Sequence, residues 1–487
     1  MLFNSYIFIF LFLPITLIGY YAFNYFKLYK VSNLFLIGMS LWFYGYFNKK
    51  YLFIICGSIL ANFLVTKGME YWSDKPTVKK PLLTLGVCGN IAVIFYFKYY
   101  NFFLENLNAV LGSSFELKNI ILPLGISFFT FQQISYLVDS YRGETQEYTF
   151  VEYALFVTFF PQLIAGPIVL HNEIIPQFKD KQNRFFIPMN FAKGMYIFAL
   201  GLFKKVIIAD TFGKAVTFGF GTVETLSSME SLIISISYTF QLYFDFSGYC
   251  DMATGIGYML NIKLPQNFDS PYKSTSITEF WDRWHMSLTR FLRSYVYIPL
   301  GGNRHGKPRT YINVMIVYLV SGIWHGANWT FILWGILHGV FSCLNRTFKK
   351  PWEKLGKVTQ WFITFMLVNV LWVFFRADNV SSAILFVKNM FCLSSFSIRE
   401  ELYQFFKLTE FQVIEKYVPF LNYLPLRITG FHMWIFILGA FFIVLNFQNS
   451  KEIEFRPTIT KSLTVIIFMF WSIMSLAGMS TFLYFNF

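Results

Sequence analysis

Charged residues are scarce in this chain. Only 14% of its 487 residues are Asp, Glu, Lys or Arg, whereas an ordinary soluble protein carries about 25%. Hydrophobic residues make up 55% of the chain and the mean hydropathy is +0.49. This combination excludes a water-soluble globular protein and predicts several apolar segments of about 20 residues that cross a bilayer.

Cysteine is also rare, and several catalytic motifs are absent. The five cysteines are odd in number and none forms a Cys-x-x-Cys pair, so the sequence predicts neither a disulfide framework nor a metal site. The sequence lacks H-x-x-x-x-D, G-x-S-x-G, H-E-x-x-H and a P-loop. A serine hydrolase, a metalloprotease and an ATP-driven pump are therefore unsupported.

The charges that are present are mostly positive, and the net charge is +14. A basic chain can indicate nucleic-acid binding, but here the basic residues cluster in short loops between apolar segments, as the positive-inside rule describes. We interpret these loops as mostly cytoplasmic and expect no nucleic-acid partner. The clusters are Lys49 and Lys50; Lys75, Lys79 and Lys80; Lys179, Lys181 and Arg184; Arg304, Lys307 and Arg309; and Arg346, Lys349, Lys350 and Lys354.

Long apolar runs dominate the rest of the sequence. Two of them, near 119–140 and 150–170, contain Pro and Gly and predict broken or re-entrant helices buried in protein. The stretch 377–429 has mixed charge, and we expect it outside the cytoplasm. We predict one domain over residues 1–487, with about eleven to thirteen membrane segments. The clearest continuous spans are Leu2–Phe26 and those near 31–47, 51–66, 82–104, 191–212, 231–259, 359–375, 430–447 and 460–480.

One amphipathic helix is predicted from Ser276 to Tyr295. Ser276 and Glu279 have the spacing of a capping box. Apolar residues then recur at helical period and charged residues fall on the opposite face. Such a helix is too polar on one face to span a bilayer, so we expect it at the interface or lining a wet cavity. His285 falls near the edge of its apolar stripe.

A second polar feature is the sequence SGIWHGAN inside the apolar run 311–337. It places His325 and Asn328 in a hydrophobic segment, flanked by Gly322 and Gly326. An imidazole at membrane depth is costly unless it faces a cavity or a partner, so His325 is a functional candidate. The glycines permit close approach of another backbone or of a ligand.

Four long motifs in order resemble the bacterial branch of the membrane-bound O-acyltransferase superfamily (MBOAT). This branch O-acetylates alginate, peptidoglycan and related polysaccharides and D-alanylates teichoic acids. The resemblance covers the core motif region 122–345 and returns at the C-terminus. It implies an all-α polytopic integral membrane protein, with a ring of membrane helices around a central funnel. The motifs are FFPQLIAGPIV, YFDFSGYCDMATGIGYMLNIKLPQNFDSPYKSTSITEFW, FWDRWHMSLTRFLRSYVYIPLGGNR and SGIWHGANWTFILWGILHG.

The resemblance also assigns residues. The family's central catalytic histidine falls on His325, and a second histidine falls on His285. Because imidazole titrates near neutral pH, His325 suits the general base that takes a hydroxyl proton. His338 and Asn328, on the following helix, are weaker candidates for the site.

Two consecutive lysines interrupt the apolar segment near 191–212. Lys204 and Lys205 either extend to a membrane interface or contact the phosphates of coenzyme A. Asp245 and Asp251 lie in apolar surroundings and need partners. For these carboxylates we favour structural ion pairs over a direct catalytic role.

The chain ends in FLYFNF, residues 482–487. This tail resembles a C-terminal motif of the small membrane partner in teichoic acid D-alanylation, and it also suits an aromatic interface belt. On the first interpretation Tyr484 is a covalent acetyl carrier.

The resemblance implies a membrane O-acetyltransferase in the bacterial cytoplasmic membrane. It would take acetyl from acetyl-CoA, without a metal, and pass it to an extracytoplasmic partner of the SGNH hydrolase fold that acetylates peptidoglycan or an alginate-like polysaccharide. Two alternatives remain open, namely an acyltransferase with a lipid or protein acceptor, and a transporter. A transporter would show inverted repeats and paired broken helices, and the second half of the chain shows no such pair.

Overall fold

The computed structural model describes residues 1–145, 148–392, 395–408, 410, 417, 430–449, 452, 455–477 and 482–483. Regular secondary structure in these residues is helical, and Phe268 and Trp284 form an isolated antiparallel β-bridge. The predicted all-α class is confirmed.

The described residues contain seven apolar helices of at least ten residues that suit a membrane, and six of them match predicted membrane segments. By length and composition, four of them can cross a membrane: Phe8–Tyr25, Lys50–Tyr71, Pro76–Leu111 and Lys357–Arg376. Three shorter ones are Val380–Phe391, Phe431–Asn446 and Ile459–Met474. The seventh, Val380–Phe391, is not among the predicted spans, because it lies in the mixed-charge stretch 377–429 that we expect outside the cytoplasm. The number of spans, eleven to thirteen, stays a prediction.

Some of the remaining helices form the interior of the protein, and the others surround it. Ser228–Met259 is buried along most of its length and is the central element of the fold. The expected breaks occur, because residues 119–125 and 164–170 are not helical. The other helices are Tyr29–Gly45, Ile126–Arg142, Phe150–Thr158, Phe160–Leu163, His171–Lys179, Pro188–Phe203, Lys204–Ala209, Asp210–Gly221, Ile277–Arg283, Met286–Leu292, Arg293–Tyr297, Gly306–His325, Trp329–Thr347, Lys349–Glu353 and Glu400–Gln404.

The apolar run 311–337 forms parts of two helices and not one span. Gly306–His325 and Trp329–Thr347 pack as a hairpin with a turn at 326–328. Their backbones touch at Gly322, where an added Cβ atom would lie 2.4 Å from the carbonyl oxygen of Phe331. Glycine is therefore needed here for close helix packing.

The hairpin separates two ends of the molecule. The Asn328 side chain in its turn donates a hydrogen bond to the carbonyl oxygen of Asp378, 2.8 Å away. The start of the 377–429 stretch therefore lies at the same end as the turn. The basic loops at 304–309 and 346–354 lie at the opposite end, about 30 Å away along a 20-residue helix.

A third basic loop, at 75–80, also lies at that opposite end. The Lys79 ammonium lies 5.6 Å from the centre of the Tyr141 ring, and the neighbouring Arg142 donates to the carbonyl oxygen of Ser294 at 3.5 Å. The loops at 75–80 and 304–309 therefore share one end, and the positive-inside rule predicts that this end is cytoplasmic.

We expect Lys307→Cys to be protected from an impermeant maleimide on intact cells, and Glu400→Cys to be labelled. Both are made in an active background without the native cysteines, because Cys56, Cys88 and Cys392 are exposed. Labelling after permeabilisation controls for reactivity at position 307. Labelling at 307 combined with protection at 400 on intact cells would show that the topology is the reverse of the predicted one.

Candidate functional site

The predicted helix over 276–295 is wrong at its centre. Ile277–Arg283 and Met286–Leu292 are separate helices, and His285 between them has a φ of +47°. A non-glycine residue in this left-handed region is strained and is held there by its surroundings. His285 is fully buried, and other residues of the segment, such as Asp282 and Arg293, line a pocket, as the predicted wet cavity requires.

Asn267 holds His285 in this conformation. Its Oδ1 accepts hydrogen bonds from His285 Nδ1 at 3.0 Å and from the backbone N and Oγ of Ser287 at 3.2 and 2.9 Å. Its backbone carbonyl accepts from the N–H of Met286 at 3.0 Å. Because an amide oxygen only accepts, Nδ1 of His285 carries the proton and Nε2 is its basic nitrogen.

His325 is the last residue of Gly306–His325 and is only 4% exposed. Aromatic rings surround its imidazole edge-on, with centroid distances of 4.9 Å to Trp324, 5.2 Å to Trp334 and 5.0 Å to Phe375. This apolar cage favours the neutral imidazole, which is the form that can accept a proton.

The two predicted histidines are brought together through one ring. Trp324 lies 6.0 Å from the His285 ring and 4.9 Å from the His325 ring, centroid to centroid. His338 is also near, because it packs 4.7 Å from Trp334, which in turn contacts His325. Its Nδ1 accepts from the indole N–H of Trp281 at 3.1 Å.

Asn328 has a structural task in this arrangement. Its side-chain oxygen accepts from the backbone N–H of Thr330 at 3.0 Å and so caps Trp329–Thr347. Its amide nitrogen binds Asp378, as described above. A contact between Asn328 and a ligand stays a prediction.

The paired lysines form ion pairs inside the protein. Lys204 Nζ lies 2.6 Å from Asp251, and Lys205 Nζ lies 2.6 Å from Asp245 and 2.8 Å from Asp210. Extension to a membrane interface is therefore wrong for Lys205, whose side chain is 2% exposed. The favoured ion pairs of Asp245 and Asp251 are present, and binding of coenzyme A by these lysines stays a prediction.

Tyr484 lies outside the described residues, but the two residues before it contact the core. The backbone N–H of Leu483 donates to Oδ2 of Asp245 at 3.0 Å. The Phe482 ring lies 4.7 Å from the Tyr249 ring and 4.8 Å from the Lys205 ammonium. The start of the tail motif therefore binds Ser228–Met259 near its middle.

This contact lies close to the histidines. Phe246, on the same helix turn as Asp245 and Tyr249, packs edge-on against His285 with a centroid distance of 4.8 Å. The tail and His285 are therefore bound by neighbouring residues of one helix.

Two pockets approach the histidines from the two ends of the molecule. The Lys98 pocket, of about 470 Å³, is lined by residues including Lys98, Gly125, Phe128, Ile164, Trp324 and His325. The arginine pocket, of about 770 Å³, is lined by residues including Arg293, Tyr297, Arg346, Asp282, Trp281 and Ser321.

The arginine pocket lies at the end with the basic loops, because Arg293 and Arg346 flank them. The Lys98 pocket contains residues 122–125, which precede Ile126–Arg142 at the end away from Arg142 and its contact with Ser294. Ser321 in one pocket and His325 in the other are one helical turn apart, about 6 Å along the axis. The buried layer around His325, formed by the rings of Trp324, Trp334 and Phe375, therefore lies between the two pockets.

Sequence reasoning missed Asn267 and Lys98. Asn267 lies in a quoted motif, but nothing local links it to His285. Lys98 had a visible signal, since a lysine inside the predicted span 82–104 is unusual at membrane depth.

The sequence is similar to a protein family and to several known proteins. A family model for MBOAT, the membrane-bound O-acyltransferase family, matches residues 90–377. A peptidoglycan O-acetyltransferase of Helicobacter pylori is 41% identical to the chain, over 100% of the chain and 98% of that protein. A probable alginate O-acetylase of Pseudomonas putida is 37% identical over the full length of both.

A more distant relative is a teichoic acid D-alanyltransferase of Streptococcus thermophilus, 32% identical over 48% of the chain and 59% of that protein. The family model covers more than half of the chain and includes both histidines, the long central helix and both pockets. The chain therefore belongs to the membrane-bound O-acyltransferase family.

Proposed function

We propose that this protein transfers acetyl groups from cytoplasmic acetyl-CoA across the bacterial cytoplasmic membrane, for O-acetylation of a cell-envelope or secreted polysaccharide. The observation that carries this proposal is the pair of pockets at opposite ends of the molecule, separated by the layer that contains His325. A donor from one side and an acceptor from the other can both reach this layer.

The arginine pocket suits the donor. Acetyl-CoA carries phosphates at one end and a thioester at the end of a long, thin arm. Among the described residues, neither Arg293 nor Arg346 forms an ion pair with a carboxylate. One carboxylate, that of Asp282, lines the same pocket. The phosphates can bind these guanidinium groups, while the arm passes Ser321 towards His325.

A third pocket, the Lys204 pocket, is lined by Asn267, the residue that binds His285. It is about 930 Å³ in volume and is lined by residues including Lys204, Asp251, Lys263 and Asn267. We favour the arginine pocket for the donor, because the Lys204 ammonium is bound to Asp251 and the arginines are not paired in this way.

The chemistry at the layer requires a base and a dry site. His325 takes the proton of the attacking hydroxyl as its oxygen bonds to the acetyl carbon, and the carbon–sulfur bond then breaks. The proton passes to the leaving sulfur. His285, with Nδ1 fixed by Asn267, presents its basic Nε2 side in the same region and orients the reacting groups.

The onward route uses the tail. The hydroxyl that attacks first is that of Tyr484, and the acetyl group then passes to a serine of an extracytoplasmic hydrolase-fold partner. Two observations support this route. First, Phe482 and Leu483 are bound near His285. Second, Ser475, seven residues before Phe482, donates a hydrogen bond to Glu410, which belongs to the stretch expected outside the cytoplasm.

For the acceptor we favour peptidoglycan over an alginate-like polymer. The Helicobacter pylori peptidoglycan O-acetyltransferase is 41% identical to the chain, against 37% for the Pseudomonas putida alginate O-acetylase. A lipid or protein acceptor would need the same histidine and no tail tyrosine. A transporter would bind acetyl-CoA without consuming it.

Turnover of labelled acetyl-CoA by purified protein with its partner tests the proposal. We expect Arg293→Gln combined with Arg346→Gln to raise the KM for acetyl-CoA about tenfold with little change in kcat, because the arginines bind ground state and transition state alike. Arg304→Gln combined with Lys307→Gln, in the adjacent loop, is the charge-matched control.

Three outcomes are informative. A raised KM with Lys204→Gln and an unchanged KM with the arginine variants would move the donor to the Lys204 pocket. Equal effects of the loop control and the arginine variants would show a general charge effect. Absence of acetyl-CoA consumption by the active wild-type complex would reject the enzyme function.

A further inference from the structure

Lys98 is a half-buried cation that the catalytic scheme above does not use. It lies in the π-helical turn Phe95–Tyr99, inside the span Pro76–Leu111 whose surface mostly faces outward. Its Nζ donates hydrogen bonds to the carbonyl oxygens of Trp324 at 2.7 Å and of His325 at 3.0 Å. An ammonium group at this depth is costly and is retained where it has a function.

The π-helical turn aims two side chains at the end of the His325 helix. Besides Lys98, the hydroxyl of Tyr99 donates to the carbonyl oxygen of Ile323 at 2.6 Å. Together they bind three successive carbonyl groups at the C-terminal end of Gly306–His325. Turns of this type within α-helices occur frequently at functional sites.

Binding the carbonyl groups at the end of this helix does not by itself require a charged side chain, because the neutral hydroxyl of Tyr99 binds the carbonyl oxygen of Ile323. The two side chains also differ in what else they reach. Lys98 lines the Lys98 pocket beside His325, whereas Tyr99 does not line it and faces an apolar groove. An ammonium group has three N–H donors, and two hydrogen bonds to carbonyl groups leave one for a group in the pocket.

We propose that Lys98 stabilises the oxyanion formed during acetyl transfer, which rests on the function proposed above. When the hydroxyl oxygen bonds to the acetyl carbon, the electron pair of the carbonyl π bond moves to the carbonyl oxygen. Lys98 donates an N–H to that oxygen. The pair returns to re-form the carbonyl group as the carbon–sulfur bond breaks, and sulfur leaves with the proton that His325 carried.

This role is effective because the ammonium is already held in place. Its bonds to the Trp324 and His325 carbonyls fix Nζ relative to the imidazole before substrate arrives. A fixed cation in a pocket with little water stabilises developing negative charge more than a hydrated one does. The same bonds would keep the base and the oxyanion donor in one rigid unit.

The test compares Lys98→Met, Lys98→Arg and Tyr99→Phe in the purified complex. We expect Lys98→Met to lower kcat about 100-fold or more, as for loss of one oxyanion donor, with the KM for acetyl-CoA changed less than threefold. Lys98→Arg should recover part of kcat, because it restores a cationic donor. Tyr99→Phe removes a neighbouring cap and should keep kcat within threefold.

Thermal unfolding in detergent is measured for each variant, with wild type and His325→Ala beside them. If Lys98→Met and Tyr99→Phe lose stability and activity in parallel, Lys98 is only a helix cap and the proposal is wrong. It is equally wrong if Lys98→Met keeps kcat within threefold while His325→Ala is inactive. An inactive wild type with acetyl-CoA would instead reject the proposed function itself.

Discussion

Replacing His325 with alanine is expected to give a folded, membrane-inserted protein that transfers no measurable acetyl group. Proton transfer by a positioned side chain is typically worth about 10²- to 10⁴-fold in rate. Alanine removes the base and also opens a void between the rings of Trp324, Trp334 and Phe375. The void lowers stability, so activity has to be compared at matched levels of folded protein.

A second variant separates the chemistry from the packing. His325→Gln keeps most of the side-chain volume and its hydrogen-bonding capacity but provides no base. His338→Gln is the matched control, because His338 is equally buried and a glutamine oxygen can still accept from the indole N–H of Trp281. We expect His325→Gln to be as inactive as the alanine variant and His338→Gln to retain activity.

The measurement is the acetylation of envelope polysaccharide in cells that express each variant at equal level. Activity of His325→Ala within threefold of wild type would remove this residue from the chemistry. Equal losses with His325→Gln and His338→Gln would mean that the layer of buried rings, and not one base, is what the reaction needs.

The order of helices could be predicted from the sequence because it depends on local composition. Long apolar runs fold into helices wherever water is absent, and each backbone group must be satisfied within its own segment. The breaks near Pro123 and Gly166 also follow from local chemistry. Proline removes a donor, and Gly125 has a φ of +73°, which glycine adopts without strain.

The break at His285 could not be predicted in this way. The apolar stripe continues across it, so the pattern indicates one helix. What divides the helix is Asn267, 18 residues earlier, whose amide and carbonyl groups bind the turn. Contacts of this kind depend on the tertiary fold, and helical periodicity does not report them.

Lys98 illustrates the same limit. Its partners, the carbonyl groups of Trp324 and His325, lie 226 and 227 residues further along the chain. The sequence shows a lysine in an apolar span and therefore predicts a partner. Only the packing of two distant helices shows that the partner is the segment that carries His325.

Replacing Tyr484 with phenylalanine is expected to abolish acetylation of the polysaccharide while the protein still folds. In the proposed function the donor and the acceptor approach from opposite ends of the molecule, so one imidazole cannot contact two bulky substrates together. A tail with one hydroxyl can take the acetyl group at His325 and return it to the partner's serine. Tyrosine, with a pKa of about 10, is a better leaving group than a sugar alkoxide, so onward transfer is favourable.

The contacts of the two preceding residues support this role over a membrane-interface belt. A belt residue lies between lipid and water, whereas Phe482 is buried and Leu483 binds the buried carboxylate of Asp245. Both contacts are made by side chain or backbone groups that Tyr484→Phe leaves intact. The variant therefore removes the hydroxyl and keeps the docking of the tail.

Two measurements decide between carrier and anchor. With wild type incubated with acetyl-CoA but without acceptor, mass spectrometry of the C-terminal peptide should show one added acetyl group on Tyr484, and His325→Ala should show none. Tyr484→Phe should bind acetyl-CoA with wild-type affinity and leave the polymer unacetylated. If Tyr484→Phe acetylates the polymer at the wild-type level, the tail is an anchor, and the acetyl group passes from the layer around His325 to the partner directly.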